Sequence, residues 1–199
     1  LLAIEFLDCL PARQFHKADF NGNSQEIWRE LHIGLTDTGN FSPGLVDLPK
    51  GAKPPAKTDQ NVAEVQIGLE AFVETLAAHT GQFRALFIDY GPANATPGDS
   101  VRAFSLGKQC DPFSRPGEVD ITVNVDFARL KNMAERNGLS TTPPKPQGEF
   151  LLEWGAQARL DQLLHGKTMK QSEALFEGVQ KLIDPSQMGL SFNCICISK

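Results

Sequence analysis

The sequence has little of several features that define large classes of protein. Its 199 residues contain no apolar run long enough to cross a bilayer. Lys and Arg number 19 against 24 Asp and Glu, so the net charge of −5 lacks the basic excess typical of nucleic-acid binders. With only 4 cysteines, a disulfide scaffold is not indicated. We therefore expect neither a membrane span nor a nucleic-acid partner.

Motifs for common cofactors and metals are also missing. None of the 17 glycines are spaced as Gly-x-Gly, so no glycine-rich loop for a pyrophosphate or nucleoside occurs in these residues. Cys194 and Cys196 have the wrong spacing for half of a zinc site, and the 4 histidines form no HExxH pattern. We predict no metal site.

The composition that is present is that of one globular domain. Apolar residues make up 41% of the chain, and at this length a core can form without disulfides or a structural metal. Residues 1–199 are therefore predicted to form a single domain. The apolar run Leu1–Leu10 is predicted to be a buried parallel strand that ends in carboxylates. It has neither an initiator Met nor a signal peptide, so we expect a fragment or a processed chain.

The rest of the sequence alternates between strand, loop and helix patterns. Alternating apolar residues and Asn21-Gly22 predict a hairpin from residues 11–36, with Ile27, Leu31 and Leu35 on its half-buried face. The segments 37–60 and 91–125 are predicted to be long functional or mobile loops. Further elements are predicted from apolar spacing and end signals. They are a helix over 62–76, a strand over 83–90, a helix after Asp126, helices over 148–165 and 170–183, and a strand over 190–198.

Acidic residues follow two of the predicted strands. Glu5 and Asp8 come after the first strand, and Asp89 lies at the end of the strand over 83–90. Ligands of α/β proteins bind beyond the carboxyl ends of the strands, so these acids are candidates for one site. Capping of loops and solvation is the alternative explanation, and it applies equally to Asp120, Thr122 and Asp126. Arg102 and Arg115 either pair with the acids or face water.

Ordered blocks over nearly the whole chain resemble one known family, the MidA-like S-adenosylmethionine-dependent methyltransferases, which include a mitochondrial complex I assembly factor. The blocks are Glu5–Pro11 with Gln14-Phe15, Phe87–Gly91, Gly98–Phe104, Asp111-Pro112, Pro116–Thr122, Val125–Phe127, Gln147–Leu151, Ala158–Leu160 and Asp184–Gly189. The chain departs from the family pattern at Ile4, Asn124 and near Gly107. The family's glycine-rich loop precedes the segment where this chain starts.

The resemblance implies the C-terminal half of a Rossmann-like α/β fold, with a mostly parallel central sheet, flanking helices and an inserted antiparallel hairpin. It implies S-adenosyl-L-methionine as cofactor and methylation of an exposed arginine on a protein substrate, such as a complex I core subunit. On this basis Glu5 and Asp8 are candidate catalytic residues, with Glu5 also making an edge contact to the cofactor. The candidate substrate-binding residues are Asp89, Tyr90, Gly91, Arg102, Asp120, Thr122, Asp126 and Gln147.

The location implied by the resemblance is the mitochondrial matrix for a eukaryotic protein and the cytoplasm for a bacterial one. The oligomeric state is not indicated. Because these residues lack the glycine-rich loop, a second interpretation stays open, in which the chain is a non-catalytic interaction or assembly module derived from the same fold.

Overall fold

A computed structural model describes residues 1–18, 27–50, 52 and 60–199. Its central sheet contains five strands: β1 (Leu2–Ile4), β6 (Arg84–Tyr90), β10 (Ser140–Thr141), β11 (Lys145–Pro146) and β12 (Phe192–Ser198). The order across the sheet is β1-β6-β12-β10, and β11 also pairs with β12. The β1–β6 pair is parallel, whereas β12 is antiparallel to β6, β10 and β11. All strands except β12 therefore run in one direction, and the expected mostly parallel sheet has one reversed strand inserted.

Two helices cover one face of this sheet and form the main core with it. They are α1 (Gly68–Ala78) and α2 (Phe127–Arg136). Leu69 and Val73 of α1, together with Phe127 and Leu130 of α2, pack against Phe87 in a fully buried cluster. The Asp126 side chain accepts a hydrogen bond from the Arg129 amide, so the predicted cap of α2 is confirmed.

The first strand is shorter and more exposed than the sequence pattern predicted. β1 has only the single neighbour β6 within the described residues, and the side chains of Leu2 and Ile4 are 61% and 56% exposed. The parallel direction of the predicted strand is confirmed, whereas its burial in this chain is not.

A second, antiparallel sheet contains the predicted hairpin and two strands that the sequence did not indicate. It is formed by β2 (Ala12–Ala18), β3 (Ile27–Leu35), β4 (Phe41–Asp47) and β5 (Val62–Gln66), in the order β4-β3-β2-β5. The predicted turn at Asn21-Gly22 lies outside the described residues. On β3 the buried side chain is Trp28, on the face opposite the one predicted to be half-buried.

The prediction of a loop over 37–60 is wrong for residues 41–47, because this stretch pairs with β3 along its whole length despite Pro43. An edge strand tolerates a proline because one side of its backbone needs no partner. The predicted helix over 62–76 begins only at Gly68, since Val62 and Val65 belong to β5.

A third, small sheet forms inside the segment 91–125, which was predicted to be an irregular loop. Its strands are β7 (Arg102–Ser105), β8 (Lys108–Cys110) and β9 (Asp120–Thr122), in the order β8-β7-β9. Short strands of three or four residues interrupted by glycine and proline give too little alternation to be recognised from sequence.

Of the C-terminal helices, the first and the last contact β12, and the two between them pack against the first. These helices are α3 (Gln147–Glu153), α4 (Ala156–Leu164), α5 (Met169–Ile183) and the short α6 (Met188–Ser191). The predicted helix over 148–165 is divided because Gly155 adopts a left-handed φ of 86° between α3 and α4. Within the described ranges, no helix has both the length and the apolar character that a bilayer span requires.

Candidate functional site

A cleft of about 980 Å³ lies where β1, β6 and β12 end on the same edge of the central sheet. β1 and β6 contribute their carboxyl ends, and the reversed β12 contributes its amino end. Among the residues that the structure describes, the charged ones lining the cleft are three acids and one base: Glu5, Asp8, Asp120 and Arg102. The cleft is therefore suited to a cationic ligand.

Asp89 holds the turn that carries two of these acids. One carboxylate oxygen, Oδ2, accepts hydrogen bonds from the amides of Phe6, Leu7 and Asp8 at 3.0, 2.8 and 3.2 Å. The other oxygen accepts the Tyr90 amide at 2.9 Å. Asp89 is 1% exposed, so it anchors the turn from below rather than contacting a ligand in the cleft.

Two opposing effects act on the proton affinity of Asp89. The pKa of Asp89 is raised to about 6, because burial first and the nearby Asp8 carboxylate second outweigh the amides of Leu7, Tyr90 and Asp8, which lower it. The same peptide groups that Asp89 organises thus stabilise its charged form against the cost of burial.

Asp8 is oriented by an aromatic hydroxyl. Tyr90 Oη donates a hydrogen bond to Asp8 Oδ2, and Asp8 is 6% exposed. The pKa of Tyr90 is raised, first by burial and then by this bond to Asp8, so the hydroxyl stays protonated and remains a donor. The phenol ring packs edge-on against Phe192 with 5.5 Å between ring centres. Asp8 therefore presents a carboxylate in a fixed direction.

Glu5 and Asp120 present carboxylates without partners. Both line the cleft, and within the described part of the chain neither makes a side-chain hydrogen bond or ion pair. Glu5 has a positive φ of 48°, a conformation that few non-glycine residues adopt. Its amide donates to the Ile88 carbonyl at 2.9 Å, which fixes the point at which the chain leaves β1.

The third sheet forms one wall of the cleft. Arg102 pairs with Thr122 and Phe104 pairs with Asp120, so all four side chains project from the same face, and all four line the cleft. Arg102 Nη1 donates to the Val101 carbonyl at 2.7 Å.

Gly91 forms the floor where β6 ends. A Cβ atom at this position would lie 2.3 Å from the Val125 carbonyl oxygen, and its φ is 139°. No side chain fits here without displacing the backbone of residue 125. The predicted residues Glu5, Asp8, Tyr90, Gly91, Arg102, Asp120 and Thr122 are thus brought together in one cleft.

Asp126 and Gln147 are not brought to this cleft. Asp126 caps α2, and its pKa is raised by burial, whereas Gln147 Nε2 donates to the Leu182 carbonyl at 2.9 Å. The Asp126 side chain thus caps its own helix, and that of Gln147 joins α3 to α5. The structure places both residues, like the buried Asp89, outside the lining of the cleft, and substrate binding by these three residues stays a prediction.

Two buried polar residues near the cleft were not predicted from sequence. Glu64, which is 2% exposed, accepts hydrogen bonds from the segment 97–101. Asn193, which lines the cleft, donates to the Gly91 carbonyl at 2.7 Å. Glu64 carried one available signal, since a carboxylate flanked by Ala63 and Val65 interrupts an apolar strand.

Solved structures with the same architecture define the class of protein. A crystal structure of a methyltransferase candidate from Burkholderia thailandensis bound to S-adenosyl-homocysteine superposes with a TM-score of 0.79 and 25% identity, covering 100% of this chain and 52% of that one. A native crystal structure from the same organism, described as that of an uncharacterized protein, superposes with a TM-score of 0.85 and 26% identity, and this chain covers 54% of it. The chain therefore has the fold of about half of a structure described as that of a methyltransferase candidate.

Sequence comparison then gives the family. The family model of putative S-adenosyl-L-methionine-dependent methyltransferases matches residues 1–145, and the chain belongs to this family. It is 32% identical over 94% of its length to the Caenorhabditis elegans mitochondrial protein arginine methyltransferase NDUFAF7 homolog, of which it covers 44%. It is also 32% identical to the human protein arginine methyltransferase NDUFAF7, of which it covers 43%. The chain therefore spans less than half the length of these curated relatives.

Proposed function

We propose that this chain forms the arginine-binding part of a S-adenosyl-L-methionine-dependent protein arginine methyltransferase. The observation that carries the proposal is the acidic cleft at the strand ends, which Glu5, Asp8 and Asp120 line with Arg102 as the one base among the described residues. A guanidinium group presents five N–H donors in a planar fork that matches carboxylate oxygens. Carboxylates from two separate parts of the chain that line one cleft are therefore well suited to bind it.

The proposed chemistry explains why positioning residues are needed. The methyl donor supplies an electrophilic methyl group on a sulfonium, and in-line attack by the substrate nitrogen makes geometry decisive, worth up to about 7–11 kcal/mol in ideal cases. A guanidinium with a pKa above about 12 is a poor nucleophile, and the nitrogen must lose a proton. Glu5 and Asp8 would grip the guanidinium and direct one nitrogen towards the methyl group. A carboxylate of the pair would accept the proton that this nitrogen loses as the methyl carbon–sulfur bond breaks, which leaves a neutral thioether.

The residues present fit only one edge of the cofactor. Glu5 offers an unpaired carboxylate at the end of β1, where a cationic part of the cofactor could contact it. The sequence contains no Gly-x-Gly segment for the remainder of the cofactor. We therefore propose that the glycine-rich loop comes from residues outside this sequence, and we assign no catalytic step to a cofactor contact within it.

The proposed partner is a protein substrate with an exposed arginine. The named relatives are protein arginine methyltransferases described as mitochondrial, which favours a mitochondrial location if the source is eukaryotic, with the matrix as the proposed compartment. A complex I core subunit is the proposed substrate in that case, and a cytoplasmic location is proposed for a bacterial source. A non-catalytic assembly module remains the alternative, favoured by the lack of a glycine-rich loop in the sequence.

A methyl-transfer assay tests the proposal. For the assay the chain is extended to the length of its curated relatives. This longer polypeptide is incubated with labelled S-adenosyl-L-methionine and an arginine peptide, and the product is located by mass spectrometry. We expect methylarginine, with Glu5→Gln lowering turnover at least 100-fold, about the contribution of one acid–base group, while affinity for the methyl donor changes only a few-fold. Glu74→Gln on the exposed side of α1 is the matched control. Donor binding without transfer to any arginine would favour the assembly module.

The division of the cofactor site is tested separately by calorimetry. S-adenosyl-L-methionine is titrated into this chain and into the longer polypeptide. Binding to the longer form alone supports a site completed by other residues, whereas equal binding to both forms contradicts it.

A further inference from the structure

Glu64 is a buried carboxylate that the proposed chemistry does not use. It lies on β5, in the second sheet, and is 2% exposed. A buried anion is costly unless its oxygens are satisfied by donors. Here Oε1 accepts Gln14 Nε2 at 2.9 Å, the Ser100 amide at 2.8 Å and the Val101 amide at 3.1 Å, and Oε2 accepts the Ser100 hydroxyl.

Three of these four donors belong to one segment of the cleft wall. Pro97, Gly98 and Ser100 line the cleft, and the chain continues into Arg102 on β7. The segment is held at a second point, where the Glu64 amide donates to the Pro97 carbonyl at 2.9 Å. At Gly98 a Cβ would lie 2.3 Å from the Val62 carbonyl, so the segment lies directly on β5.

The Ser100 hydroxyl extends the connection to a second lining segment. Its oxygen donates to Glu64 and accepts the amide of Asn124 at 2.8 Å. Asn124 lines the cleft two residues after Thr122, the last residue of β9. One carboxylate thus fixes the beginning of β7 and the end of β9, the two strands that present Arg102, Phe104, Asp120 and Thr122 to the ligand.

We propose that Glu64 is a positioning residue for substrate binding, which sets the wall formed by β7 and β9 through the peptide amides of residues 100 and 101 and the Ser100 hydroxyl. The expected effect on substrate kinetics rests on the proposed function, whereas the expected effect on the position of the wall does not. Because the proposed chemistry assigns the methyl-transfer step to Glu5 and Asp8 and none of it to the wall, loss of the wall's position should weaken peptide binding more than the methyl-transfer step.

Kinetics of Glu64→Gln test the consequence in the longer polypeptide. Glutamine keeps the shape but removes the charge and one acceptor oxygen, and it presents an amide donor to the Ser100 hydroxyl. We expect KM for the arginine peptide to rise about tenfold, the effect of one charge-assisted hydrogen bond, with kcat within about threefold. Donor affinity should be unchanged, and the exposed Glu74→Gln should match the wild type in all three values. Unchanged KM in Glu64→Gln, or a fall in kcat alone, overturns the proposal.

A second readout does not depend on catalysis. Amide hydrogen exchange at Ser100, Val101 and Asn124 should accelerate at least fivefold in Glu64→Gln and remain unchanged in Glu74→Gln. If the wild type methylates no arginine, this result alone decides whether Glu64 holds the wall. If transfer occurs but exchange is unchanged, the positioning proposal fails while the proposed function stands.

Ser100→Ala keeps the test decisive if Glu64→Gln folds poorly. It removes only the hydroxyl that joins Glu64 to Asn124, so we expect a smaller rise in KM and faster exchange at Asn124. When both variants fold, their effects on KM should be less than additive, because they interrupt one connection. Fully additive effects, or an unaltered Ser100→Ala protein, contradict the proposed route.

Discussion

The proton affinity of Asp89 provides a quantitative test of how the acidic turn is held. Asp89 accepts amides of residues 6, 7, 8 and 90, an arrangement that alone would lower its pKa, whereas burial and the Asp8 charge raise it. Burial and the Asp8 charge outweigh the amide donors, so the pKa of Asp89 is about 6 against an ordinary value of 3.8. The difference of about two pKa units corresponds to about 3 kcal/mol.

The sign of the pH dependence follows from linkage. Because the pKa is higher in the folded state, the folded protein binds the proton more tightly than the unfolded chain does. The stabilising contribution is therefore fully present below pH 3.8, and it is lost as the pH rises through about 6. Asp89→Asn removes this titration while it keeps the size of the side chain. The wild type should lose about 3 kcal/mol relative to Asp89→Asn between pH 3.5 and pH 7.

Urea unfolding at half-unit pH intervals measures this difference directly. A matched Asp161→Asn variant, altered on α4 well away from the cleft-lining set, should give a curve parallel to the wild type. If the difference in unfolding free energy between the wild type and Asp89→Asn does not vary with pH, the effects of the amide donors and of burial on the pKa of Asp89 cancel. A difference that grows in favour of the wild type as pH rises would refute the reasoning, because the amide donors would then dominate.

Three further predictions concern the close backbone approach at Gly91, the cap of α2 and the pairing of β4. Gly91→Ala should lower the free energy of unfolding in urea by about 3 kcal/mol or more, because the added Cβ meets the backbone of residue 125. The control Gly117→Ala, with a φ of 80° and open space around it, should lower it by about 1–2 kcal/mol. Similar losses in the two variants would contradict the close approach at Gly91. Asp126→Ala should lower the free energy of unfolding by about 1 kcal/mol, because the helix cap is lost, and calorimetry should show an unchanged affinity for the arginine peptide. Weaker peptide binding would indicate that Asp126 contacts the ligand. Deletion of residues 41–47 should lower the melting temperature, because β3 loses β4, which pairs with it at seven positions. An unchanged melting temperature would support the loop predicted from sequence.

Local signals in the sequence were sufficient for several elements. The strand over 83–90, the Asp126 cap and the helix over 170–183 each depend on residues close together in the chain, and each is present in the structure. β5 was missed because Val62 and Val65 fit a helical spacing that continues into Leu69. Only pairing with β2, about 50 residues earlier, selects the extended conformation there.

The candidate site was predictable in part for the same reason. Glu5, Asp8 and Tyr90 follow strands that end on one sheet edge, a rule that needs no knowledge of loops. Glu64 depends on donors 36 residues away in sequence, and the wall containing Arg102 depends on pairing of two very short strands. Asp89 was placed at the correct edge, but its role as an anchor for backbone amides could not be inferred without the path of the turn.

Recognition of a guanidinium by the acidic cleft is the central claim, and a pair of peptides tests it most directly. Calorimetry compares the binding of an arginine peptide with that of the same peptide carrying citrulline, which replaces the charged guanidinium by a neutral urea of similar shape. We expect the arginine peptide to bind at least tenfold more tightly, as hydrogen bonds to charged groups require, and Glu5→Gln to remove most of that preference. Equal affinity for the two peptides would contradict the account.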